Sequence, residues 1–245
     1  HRKDVYLEGL EIFRDFLVLE ERSNGLSKIR ITRWDNSEDH YLQFSEETYT
    51  AGIGTNPDFN STTLRYGYSS LTTPASVFDY NMNTRTQTLM KQQEVVGGHN
   101  PEDYQAERIW AKATDGKRIP VSLVYKKSLR NVKGNPLLLY GYGSYGITVD
   151  PGFSSTRLSL LDRGFIFAIA HIRGGQYLGR EWYDDGKMLK KKNTFSDFIA
   201  CAEELIAQNY TNPQHLYAMG GSAGGLLMGA VINDRPDLFK GIIAA

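Results

Sequence analysis

Up to about residue 90 the apolar positions fall in short alternating runs cut by turn residues, the period-two pattern of strands with one buried face. Phe16–Glu21 and Ile29–Trp34 flank Ser23-Asn24-Gly25. Asn-Gly supplies the positive φ angles that a tight hairpin needs, so the two runs are predicted to pair. Thr63–Tyr68, Val77–Tyr80 and, after the Asn83-Thr84 turn, Thr86–Met90 read as further strands. Strands of this length and spacing suit an all-β sandwich or part of a propeller, and no clean internal repeat decides between them.

From about residue 105 the pattern changes. Glu107–Lys112 and Val121–Tyr125 bracket Asp115-Gly116, a second hairpin signal. Pro136–Tyr140 and Phe165–Ala170 are continuous apolar runs, as in a sheet strand covered on both faces. A helix is predicted from Thr194, where Thr194 and Asp197 form an S/T-x-x-D/E start and Phe195, Phe198, Ile199, Ala202, Leu205 and Ile206 recur on one face. Leu216–Met219 then reads as a strand, Ala223–Arg235 as a helix stopped by Pro236, and Ile242–Ala245 as a last strand. Strand and helix in alternation predict an α/β fold with a mostly parallel sheet and helices on both faces.

Gly220-Gly221-Ser222-Ala223-Gly224 sits where the predicted strand meets the predicted helix and matches G-x-S-x-G. Without context the pattern arises by chance on the order of 0.2 times in a chain of this composition. The strand-turn-helix setting is what gives it weight: such an elbow projects a nucleophilic serine, and glycines on either side remove side chains that would collide. The same turn aims the Ala223 N–H, at a helix N-terminus, toward a developing oxyanion. A phosphate-cradling loop would instead show G-x-x-x-x-G-K-[ST] or G-x-G-x-x-G, and neither is present. A second glycine loop, Tyr140-Gly141-Tyr142-Gly143-Ser144-Tyr145-Gly146, follows the Pro136–Tyr140 strand at the edge where ligands bind in open α/β sheets. A tyrosine hydroxyl there can serve as an oxyanion donor, or the aromatics simply pack. Arg173-Gly174-Gly175 lies on the same rim, its arginine read as fixing the loop or pairing with a carboxylate.

Composition narrows the partners. Twenty-eight basic and twenty-eight acidic side chains cancel, so no net field attracts nucleic acid or an anionic membrane. Lys190-Lys191-Lys192, the one dense basic run, reads as the solvated lead-in to a helix. The single cysteine, Cys201, rules out an internal disulfide framework, reads as a small buried hydrophobe, and fits a reducing, cytoplasmic location. No apolar run approaches the ~18 residues of a membrane span. His1-Arg2-Lys3-Asp4 is followed by no leader-like apolar segment, and no initiating Met is present.

Four stretches resemble the prolyl oligopeptidase family, most closely its oligopeptidase B branch: Tyr140–Gly146, Arg157–Gly164, His171–Gly186 and Tyr217–Phe239. The resemblance implies a partial α/β-hydrolase domain over residues 91–245, preceded by the last blades of a β-propeller over residues 1–90. It implies hydrolysis of short peptides with Ser222 as nucleophile, Tyr142 and the Ala223 N–H as oxyanion donors, and Gly220, Gly221 and Gly224 shaping the elbow. Tyr145 falls where the family has an aromatic wall of the pocket for the residue before the cut. Asp150 matches one acidic position for a basic side chain, while the second acid of the pattern is Gly152 here. Neither metal nor organic cofactor is implied. Oligomeric state is not legible.

In α/β-hydrolases the acid and then the histidine follow the serine, yet no His follows Ser222 in the 23 residues to Ala245. His1, His40 and His99 fall in or beside the β-rich part, His215 at the far end of the strand from Ser222, and His171 at the correct edge but without a catalytic match. The expectation is therefore a piece of a serine peptidase whose acid and base lie beyond residue 245 and which is inactive alone. Another serine hydrolase of the fold (a proline-specific or acylaminoacyl peptidase, an esterase) and a non-catalytic peptide- or partner-binding module stand as alternatives.

Overall fold

In a computed structural model, Arg2 and residues 5–245 are described; His1, Lys3 and Asp4, part of the start read above as leader-free, lie outside them. The chain divides into two units, residues 1–99 with 150–153, and residues 100–149 with 154–245.

The first unit holds two antiparallel sheets, each with its strands in chain order: β1 (Val5–Ile12), β2 (Phe16–Ser23), β3 (Leu26–Arg33) and β4 (Asp39–Tyr41), then β5 (Tyr49–Ile53), β6 (Thr63–Ser70), β7 (Ser76–Asn81) and β8 (Thr86–Gln92). Consecutive four-stranded meanders are the blade plan of a propeller, so the sandwich alternative falls away. Asn24 and Gly25 both take positive φ, 51° and 80°, and lock the β2–β3 register at Ser23 opposite Leu26. Phe16, Val18, Ile29 and Ile31 point to one side and are buried with Leu64 and Tyr66 of the second sheet.

The second unit is a six-stranded mixed sheet. It contains β9 (Tyr104–Lys112), β10 (Arg118–Lys126), β11 (Leu137–Tyr140), α1 (Ser155–Leu161), β12 (Ile166–Ala170), α2 (Arg180–Asp184), α3 (Lys192–Ala207), β13 (Leu216–Gly220), α4 (Ala223–Asp234) and β14 (Gly241–Ala244). The spatial order is β14-β13-β11-β12-β10-β9, parallel from β14 to β12 and antiparallel beyond. From β11 the chain crosses to β12 on one side and later returns to β13 on the other. The carboxyl end of β11 is thus the switch point of the sheet, where a crevice opens. Ile166, Ala168, Leu137, Leu139, Leu216 and Ala218 are buried in its strands, and α3 and α4 pack together against it through Phe198, Leu205, Leu227 and Val231. Each such large apolar side chain contributes about 1.5–3 kcal/mol by leaving water. Cys201 is wholly buried in α3, where burial raises its thiol pKa well above the usual value.

The reading of Thr194 and Asp197 as a helix start is corrected. α3 begins at Lys192 and has no side-chain cap. Thr194 and Asp197 are inside it and buried, with the Thr194 hydroxyl donating to the carbonyls of Arg173 and Gly186. A capping pattern specifies only local spacing; here both polar groups face another segment of chain and satisfy it instead of their own helix.

Candidate active site

Ser222 stands between β13 and α4 at φ 56°, ψ −117°, a conformation that L-residues rarely adopt, and it is exposed. Such strain persists only where surrounding structure over-determines it. Two features do so. The Ser222 N–H donates to the Ala245 carbonyl at 2.7 Å, while Ala245 returns its own N–H to Gly220 at 3.1 Å. The flanking glycines let the chain close on itself: a Cβ on Gly220 would lie 2.4 Å from the Gly224 carbonyl oxygen. Gly221 differs, since a Cβ there would meet only the Ala245 oxygen at 3.9 Å. The Ala223 N–H, in the first turn of α4, makes no backbone hydrogen bond outside the helix among the described residues and has no acceptor one turn earlier within it.

Tyr140 is in register with Met219, so the loop after β11 leaves the sheet level with the elbow. The Gly141 N–H donates to the Met219 carbonyl at 3.1 Å. A Cβ on Gly224 would fall 2.8 Å from the Gly141 oxygen and 3.6 Å from the Tyr142 Cα, which sets the Tyr142 backbone against the first turn of α4. Tyr145, 6.5 Å from Tyr142 between ring centroids, is 74% exposed and takes φ 58°. A large aromatic held outward at positive φ is a costly arrangement for packing alone.

The rim segment after β12 is fixed by a buried ion pair. Arg173 donates through Nε and Nη2 to the two Asp197 oxygens at 2.8 and 2.6 Å, and through Nη1 to Asp115 at 2.6 Å. The Arg173 N–H also donates to Asp197 at 3.0 Å. Hydrogen bonding to Asp197 holds the guanidinium pKa above its ordinary value, while burial pushes the Asp197 carboxyl upward against that pull. Both roles considered for Arg173, fixing the loop and pairing with a carboxylate, are met by one contact set.

The structure brings Ser222, Ala223, Gly220, Gly224, Tyr142 and Tyr145 to neighbouring strand ends. Asp150 lies in the first unit, where Arg22 grips its carboxylate at 2.9 and 3.3 Å while also donating to Glu8 at 2.9 Å. No histidine among the described residues hydrogen-bonds the Ser222 hydroxyl. His171, at the right edge, shares a 2.7 Å hydrogen bond with Ser122 and stacks on Tyr177 at 3.6 Å. Sequence reading missed one contact here. Lys191, taken as part of a solvated run, reaches the Gly143 carbonyl and the Ser144 hydroxyl at 2.5 and 2.7 Å. No group of three or more metal-binding side chains occurs among the described residues. No helix among them is long and apolar enough to cross a membrane.

Comparison with known proteins gives a consistent set. The model of the prolyl oligopeptidase family matches residues 151–245, and that of the prolyl oligopeptidase N-terminal β-propeller domain matches residues 1–93. The chain is 48% identical to dipeptidyl aminopeptidase BI of Pseudoxanthomonas mexicana, over 99% of the chain and 34% of that protein. It is 40% identical to protease 2 of Moraxella lacunata, over all of the chain and 35% of that protein. Among solved structures, oligopeptidase B from Trypanosoma brucei with covalently bound antipain superposes with a TM-score of 0.91 at 43% identity, over 99% of the chain and 35% of that structure. The chain therefore spans about a third of the length of these relatives.

Proposed function

The chain belongs to the prolyl oligopeptidase family of serine peptidases, and on that premise we propose that it carries the nucleophile and oxyanion donors of an oligopeptidase that hydrolyses short peptides. The observation that carries the reading is the juxtaposition of the strained Ser222 elbow with the Tyr142 loop at the sheet's switch point. In the proposed reaction the Ser222 Oγ bonds to the scissile carbonyl carbon as a histidine takes its proton. The carbonyl oxygen becomes an oxyanion that accepts from the Tyr142 hydroxyl and the Ala223 N–H. Collapse breaks the C–N bond, the histidine returns the proton to the leaving amine, and an acyl-enzyme remains on Ser222. Water then repeats the sequence, releasing the carboxylic acid and restoring the serine.

The histidine and its orienting acid are assigned to the parent protein beyond residue 245. Two observations support this: Ser222 has no histidine partner among the described residues, and the chain spans about a third of its relatives. A serine hydroxyl without a base is a poor nucleophile near neutral pH. Cleavage after Arg or Lys is supported by the likeness to oligopeptidase B. A second reading, release of dipeptides, is favoured by the name of the 48% identical relative. The cytoplasmic assignment rests on the single buried cysteine. Balanced charge argues against nucleic acid as a partner, and no cofactor is needed for the proposed steps.

The test compares full-length parent protein with residues 1–245, on fluorogenic peptides ending in Arg, Lys or Pro, with free and blocked N-termini. Serine-dependent turnover by the parent alone, fastest after Arg and Lys, is the expected result. Ser222-dependent turnover by residues 1–245 contradicts the placement of the base. Cleavage only of free N-termini, two residues in, favours the second reading.

A further inference from the structure

The Tyr142 loop is tied at both ends, to β13 by the Gly141 N–H to the Met219 carbonyl at 3.1 Å and to the segment after β12 by the Gly146 N–H to the Gly174 carbonyl at 3.0 Å. Between these ties lie Gly143 and Ser144, both buried. They meet one cation. Lys191, the residue before α3, places its half-buried ammonium 2.5 Å from the Gly143 carbonyl oxygen and 2.7 Å from the Ser144 hydroxyl. Burial lowers the pKa of this ammonium, a cost that its two acceptors offset. The flanking lysines differ: Lys190 pairs with Asp185 at 2.7 Å, and Lys192 is exposed. The Gly143 carbonyl has no slack on its other side, since a Cβ on Gly174 would sit 2.1 Å from its oxygen, and a Cβ on Gly143 would sit 2.4 Å from Thr194 Cγ2. Thus the two residues directly after Tyr142 are held between a glycine without a side chain and a partly desolvated cation.

We propose that Lys191 is a positioning residue for the reaction: by gripping the Gly143 carbonyl and the Ser144 hydroxyl, it fixes the loop so that the Tyr142 hydroxyl is presented to the oxyanion formed at Ser222. The inference rests on the oxyanion role of Tyr142 and adds the side chain that aims it. An oxyanion donor acts mainly in the transition state, so loss of its aim lowers kcat and leaves KM nearly unchanged.

The experiment is a double-mutant cycle in the full-length parent: Lys191→Met, Tyr142→Phe and the pair, with Lys191→Arg as the conservative variant. Lys191→Met is expected to lower kcat about 10–100-fold with KM within about threefold, because a displacement of about 1 Å costs on that order. Lys191→Arg should recover part of the loss. In the Tyr142→Phe background the same Lys191→Met change should cost less than about twofold, because the donor it aims is already gone. Equal fold losses in both backgrounds, a loss confined to KM, or an unchanged kcat in Lys191→Met overturns the positioning role while leaving Tyr142 as the donor. An unchanged kcat in Tyr142→Phe overturns the oxyanion reading and this inference with it. If Lys191→Met does not fold, Ser144→Ala removes one of the two contacts and serves in the same cycle. A kcat loss in the Tyr142 background only is then expected, and equal losses in both backgrounds overturn the role.

Discussion

The elbow at Ser222 and the loop at Tyr142 face one another, yet they are built by different means. The elbow is almost self-contained: its tightest approach, 2.4 Å from a Cβ on Gly220, is to Gly224, four residues on. The loop takes its shape from residues far along the chain. A Cβ on Gly141 would be 2.6 Å from the Phe198 ring, Gly143 abuts Ile172 and Thr194, and Lys191 supplies the cation. The Ser222 turn is thus shaped mainly by its own glycines, with a backbone tie to Ala245, and the Tyr142 loop by long-range packing. Substitutions in the elbow should act on chemistry, and those around the loop on stability or on transition-state aim.

Ser222→Ala in the full-length parent should have the largest effect, a loss of kcat of about 10⁶-fold, the scale of removing a triad serine. Its thermal unfolding should be unchanged, because the side chain is exposed. Next comes Asp197→Asn, which leaves Arg173 charged, buried and short of a carboxylate. Urea titration should show a loss of about 3–5 kcal/mol, the usual cost of breaking a buried pair from one side. A midpoint near that of the unchanged protein would mean the rim does not depend on this pair. Tyr142→Phe should lower kcat about 10²–10³-fold with a smaller change in KM. An unaltered kcat would reduce the loop to packed aromatics. Gly221→Ala should do least: with only one contact, at 3.9 Å, stability and turnover should stay within about 0.5 kcal/mol and twofold, as for an open surface position. A loss as large as that of Gly220→Ala would show that the elbow uses both glycines.

The same contrast explains what the sequence disclosed. Hairpins at Asn24-Gly25 and Asp115-Gly116, the strands β11, β12 and β13 and the helix α4 were legible because turn chemistry and periodicity are local. β1 was missed because a register shift between Leu7 and Gly9 breaks its alternation. α1 gave no signal because, of its seven residues, only Leu161 is buried. The strand-turn-helix setting of Ser222, Ala223 and the flanking glycines was legible from one motif, and the place of Tyr142 after β11 from the apolar run before it. Lys191, Thr194 and Asp197 could not: their partners lie at Gly143, Arg173 and Gly186, and no periodicity reports a contact between separate segments. Asp150 carried an acidic-pocket expectation that spacing alone could not weigh against its pairing with Arg22.

The claim that Ser222 is the nucleophile is tested most directly by covalent labelling. Full-length parent protein, inactivated with a fluorophosphonate probe, would be digested and its modified peptide sequenced by mass spectrometry. One probe per chain on Ser222, abolished in Ser222→Ala and rising in step with the loss of peptidase activity, is the predicted result. Inactivation with the label on any other residue, or full turnover after Ser222 is modified, would contradict it.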